Sequence, residues 1–63
     1  SRQPVQPRGT MPDVVGMGAR DAVFLIESRG VRTRLYGRGK VVKQSIAPGA
    51  AIRKGQTCVL NLD

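Results

Sequence analysis

Histidine and tryptophan are missing from this 63-residue chain, and cysteine, phenylalanine and tyrosine occur once each. Without histidine there is no imidazole base, so Ser-His-Asp and Cys-His nucleophiles and His-based proton shuttles are excluded. A lone Cys58 can form no internal disulfide, and with no histidine beside it no zinc site can be assembled. Acid groups are nearly as scarce: Asp13, Asp21, Glu27 and Asp63 are all there are. Asp21 and Glu27 stand six residues apart, about 240° round a helix, and do not converge as a carboxylate pair. No apolar run reaches the ~18–20 residues of a membrane span, and no signal-peptide pattern is present. The chain therefore reads as a non-enzyme with no metal and no cofactor. It has length for one domain, whose core without a staple supplies only ~3–5 kcal/mol.

What the chain has in abundance is positive charge. Eleven Lys and Arg against four Asp and Glu give a formal net charge of +7, which favours anionic partners such as nucleic acid, acidic headgroups or carboxylate-bearing wall polymers. The chain opens on Ser-Arg-Gln-Pro without an initiator Met and is read as part of something longer.

Residues 1–10 carry two prolines, a glycine and two arginines around a single Val5. They bury too little to offset their ordering entropy and read as a flexible linker, with Pro4-Val5-Gln6-Pro7 as extended spacer. The domain is expected over residues 11–63. Residues 11–15 read as a short extended segment, because Pro12 holds Met11 out of helix and Val14-Val15 favour strand. Ala19, Ala22, Val23 and Ile26 recur at helical spacing, predicting one amphipathic helix over residues 19–29, with Gly18 at its N-cap and Gly30 as its left-handed stop. Residues 31–36 alternate apolar and basic, predicting a half-buried strand. A turn at 37–40 and a second strand at 41–46 then suggest a hairpin pairing Leu35 with Val42, Thr33 with Gln44 and Val31 with Ile46. After turns at 47–50 and 53–55, residues 57–62 form a last strand. The expected core is Ala22, Val23, Ile26, Val31, Leu35, Val42, Ile46, Ile52, Cys58, Leu60 and Leu62. The amide of Gln44, pointing inward, would need backbone partners near residues 11–14 or the Pro48 turn. The fold class is α+β, one helix on a sheet of about three strands.

Met-Pro-Asp-Val-Val-Gly-Met at 11–17, Asp21-Ala22, Gly30-Val31, Gly39-x-Val41-x-x-Gln44-Ser45, Pro48-Gly49 and Lys54-Gly55-Gln56, in that order and spacing, resemble the PASTA domain over residues 11–62. Gly16-Met17-Gly18, Asp21-Ala22-Val23 and Lys54-Gly55-Gln56 look most like the C-terminal module of a class B cell-division penicillin-binding protein, whereas kinase receptors carry several modules in tandem. The resemblance implies a βαββ-type domain outside the cytoplasmic membrane, tethered through a parent protein and binding peptidoglycan fragments or β-lactams, or bracing a transpeptidase domain. It implies no catalysis, and the chain has no Ser-x-x-Lys pair. Gly18 departs from the family's Ser-like cap. Ile46 stands where many members carry Pro, so the second strand is expected to run longer.

Under the hairpin register Arg32, Arg34 and Lys43 share the sheet face away from the helix, with Tyr36 at its end and Arg53 and Lys54 on a loop that approaches. Such a patch pairs with stem-peptide carboxylates, Arg as a fork and Lys as a point charge. Phe24 lies opposite the apolar stripe of the helix and is expected to contact another domain of the parent. Cys58 is expected to be a buried thiol. A nucleic-acid binder is the rival reading of the charge, but the chain has neither a recognition helix nor an aromatic platform. A monomer is expected, with no membrane insertion by this segment.

Overall fold

The computed structural model describes residues 9–63; the linker reading of residues 1–8 lies outside the described residues. Helix α1 spans Ala19–Glu27 and buries Ala22 and Ile26 completely, with Ala19 and Leu25 packed alongside. Gly18 caps it in an extended conformation without a side-chain bond, its carbonyl accepting the Ala22 N–H at 3.0 Å. The helix ends two residues before the expected 29. Arg29 N–H donates to Ile26 O and Gly30 N–H to Glu27 O, both at 3.0 Å, so the last turn tightens to i→i−3 bonding, and Gly30 at φ 84° redirects the chain.

Three strands follow: β1 (Arg32–Gly37), β2 (Val41–Gln44) and β3 (Thr57–Leu62). Their order is β1-β3-β2, with β1 parallel and β2 antiparallel to β3. The expected hairpin is therefore overturned, because β3 lies between its two arms. Residues 38–40 cross the end of β3, where Lys40 N–H donates to Asp63 O at 3.3 Å and Asp63 N–H to Lys40 O at 2.9 Å. This crossing requires glycine: a Cβ on Gly37 would fall 2.2 Å from Leu62 O, and one on Gly39 would fall 2.6 Å from the Asp63 carbonyl carbon. Both residues also hold positive φ. Strand β2 ends at Gln44 rather than Ile46, although Ser45 N–H still donates to Val59 O at 2.9 Å.

The core gathers Met11, Val14, Ala22, Ile26, Val31, Val41, Cys58, Leu60 and Leu62. Ile46 and Ile52 pack half-buried against it, and Val23 is half-buried too. Leu35 and Val42 were expected inside and are not: they are 43% and 53% exposed. Val42 is turned out by a register irregularity between Val41 and Lys43, which leaves Val41 inside. Leu35 faces the helix side of an edge strand. Although α1 packs against β1, no strand lies beyond that edge to cover the outer flank of Leu35.

Gln44 holds that segment. Its Oε1 accepts the Val14 N–H at 3.0 Å, while Nε2 donates to Pro12 O at 3.1 Å and Ile46 O at 2.7 Å. The segment bears no strand of its own. It is further fixed by Gly16 N–H to Val41 O (2.7 Å) and Met11 N–H to Ala50 O (2.8 Å). Gly9 and Thr10, grouped with the linker from sequence, also engage the domain: Ile52 N–H donates to Gly9 O at 2.9 Å, and Thr10 pairs with Ala51.

Three variants test this frame. Gly37→Ala should unfold much of the protein at 25 °C, while Gly49→Ala, whose Cβ meets nothing within 4 Å, should cost only ~1–2 kcal/mol for its positive φ; urea denaturation of both checks the difference. Gln44→Leu strands three backbone groups and should cost ~2–4 kcal/mol by the same measurement, most of the reserve of so small a core.

Candidate functional site

Side-chain parity on the central strand sorts the sheet. Cys58, Leu60 and Leu62 point to the core, so Thr57, Val59 and Asn61 point away. The pairing then sets Arg32 beside Thr57, Arg34 beside Val59, and Tyr36 beside Asn61, with Lys43 on the far side of Asn61. Arg32, Arg34, Tyr36 and Lys43 thus share the face away from α1, and all are exposed. None of the four side chains makes a hydrogen bond or ion pair among the described residues. The inverted strand order changes their spacing rather than their face. Arg34 and Lys43 stand two strands and one row apart, ~12 Å between Cα atoms, with Val59 and Asn61 between them.

Arg53 and Lys54 occupy the exposed turn before β3. Gly55 N–H donates to Gly30 O at 2.9 Å and Arg32 N–H to Gln56 O at 2.7 Å, so this turn sits at the Arg32 end, opposite Tyr36 and Lys43. Phe24 lies on the other side of the molecule, 76% exposed on the outer surface of α1. Asn61 and Thr57, on the central strand of the cationic face, carry no role in the sequence reading, although the alternation of residues 57–62 carries their signal. Cys58 is fully buried, and among the described residues its thiol accepts from Ser45 Oγ at 3.8 Å and donates to Val59 O at 3.9 Å.

This arrangement can pair carboxylates. No group of three or more His, Cys, Asp or Glu gathers among the described residues. Those residues also enclose no cavity, so a ligand would lie on an open surface. Exposed ion pairs contribute ~0–1 kcal/mol each and weaken in salt.

Compared with known families, residues 9–63 match the PASTA domain. The chain belongs to that family. PASTA domains are non-catalytic, generally extracytoplasmic modules that bind peptidoglycan and occur in penicillin-binding proteins and serine/threonine kinases. No curated protein matches the chain. Among its described residues, no helix is long and apolar enough to cross a membrane.

Proposed function

We propose that this PASTA domain binds muropeptides weakly through Arg32, Arg34, Tyr36 and Lys43, with Arg53 and Lys54 extending the patch at the Arg32 end, as the C-terminal module of a class B cell-division penicillin-binding protein. The observation that carries this reading is one sheet face bearing three cations and an aromatic ring that have no partner within the domain. Arg32 and Arg34 stand ~7 Å apart, within reach of one branched anion, whereas Lys43 needs a second anionic group ~12 Å away. A stem peptide with several carboxylates meets both demands. The fused ring of a β-lactam, with one carboxylate, meets only the first. The parent protein's membrane anchor would tether the module on the wall side.

In a two-dimensional NMR titration with soluble muropeptides at near-physiological salt, amide shifts should centre on Arg32, Arg34, Tyr36, Lys43 and Asn61. The double variant Arg34→Ala/Lys43→Ala should weaken binding about tenfold, two exposed pairs together being worth ~1–2 kcal/mol. No shift at millimolar ligand would overturn the reading. A steep salt-dependent affinity for DNA of any sequence would favour the nucleic-acid alternative. A parent carrying several such modules in tandem would favour a kinase receptor.

A second reading rests on Phe24, whose exposed ring finds no cover inside the domain. It would brace the transpeptidase domain of the parent, the module then acting as a strut. Phe24→Ser should lower the melting temperature of the intact parent protein by several degrees and leave that of this domain unchanged, as read by calorimetry on both.

A further inference from the structure

Strand β1 presents an open hydrogen-bonding edge. Arg32 N–H donates to Gln56 O, and in a parallel ladder both backbone groups of a residue point the same way, so Arg32, Arg34 and Tyr36 bond to β3. Thr33 and Leu35 therefore direct their N–H and C=O groups away from the sheet, and among the described residues these groups have no partner. The corresponding edge of β2 is covered: Val41 exchanges bonds with residues 16 and 17, and the side chain of Gln44 reaches residues 12 and 14.

The side chains along β1 state what can pair with it. On the outer face stand Arg32 and Arg34. On the helix face stand Leu35, 43% exposed, and Thr33, whose Oγ1 donates to Glu27 Oε2 at 2.9 Å. A second copy of β1 would set arginines against arginines, which is unfavourable across a strand pair. An added strand needs acidic residues toward the outer face, beside Arg32 and Arg34. Toward the helix it needs apolar ones, where Leu35 is uncovered and the Glu27 carboxylate repels acid. We propose that the β1 edge docks an extended protein segment of alternating acidic and apolar residues, adding it to the sheet as a fourth strand beyond Thr33 and Leu35. This site uses the edge rather than the open face, and it holds or fails independently of the muropeptide reading.

The test uses the ¹⁵N-labelled 63-residue chain and the capped peptide Glu-Val-Glu-Val-Glu-Val. The amides of Thr33 and Leu35 should move downfield and slow at least tenfold in hydrogen exchange at saturating peptide. A version with N-methylated backbone should lose this effect although its charge is kept, as should the Lys-for-Glu peptide. Arg32→Glu/Arg34→Glu, both exposed positions, should reverse the preference and take the Lys peptide. Three results would overturn the proposal: equal binding of the N-methylated peptide, shifts confined to the Arg34–Asn61–Lys43 face with no added protection at Thr33 and Leu35, or no shift at millimolar peptide.

Discussion

The architecture depends on the C-terminal strand entering between two strands that precede it. β3 is hydrogen-bonded on both sides, parallel to β1 and antiparallel to β2, so its inward row of Cys58, Leu60 and Leu62 becomes the floor of the core. The last residues of the chain thereby close the fold. The crossing from β1 to β2 must pass their end, at a separation that only glycine at 37 and 39 permits. With a core this small, a single backbone clash there competes with the entire reserve of stability.

The same insertion sets the spacing of the cationic face. Because β3 occupies the centre, cations from β1 and β2 are held apart with Val59 and Asn61 between them. The face is suited to an extended polyanionic ligand rather than a single carboxylate. β1 is left as an edge whose backbone groups at Thr33 and Leu35 have no partner among the described residues, while β2 is sealed by residues 12–17. One strand thus serves two surfaces, presenting arginines outward and hydrogen-bonding groups sideways. Both are open and shallow, and binding at either would weaken in salt.

Local features were legible in the sequence: α1 from the spacing of Ala19, Ala22 and Ile26, β3 from the alternation of residues 57–62, and the inward Gln44 from parity. The cationic face was legible for the same reason, since Arg32, Arg34 and Lys43 keep their face whether β1 and β2 pair directly or through an intervening strand. Strand order was not legible. Alternating patterns specify which side chains point inward but not which strand is the neighbour, and Gly37-Arg38-Gly39 fits a tight turn as well as a crossing. The miss propagated to Leu35 and Val42, assigned to the core on direct pairing and half-exposed in fact. Met11 and Val14 were overlooked because they lie outside any regular element. Long-range bonds hold them in place: Gln44 reaches Val14 and Pro12, 30 and 32 residues away, and Met11 exchanges bonds with residues 49 and 50.

Scalar couplings transmitted through backbone hydrogen bonds test the central claim most directly. The inserted-strand arrangement predicts couplings from the Arg32 amide nitrogen to the Gln56 carbonyl and from Ser45 to Val59, with none from Thr33 or Leu35 to any carbonyl of residues 41–46. Couplings joining residues 33 and 35 directly to 42 and 44 would show a plain hairpin and contradict the account.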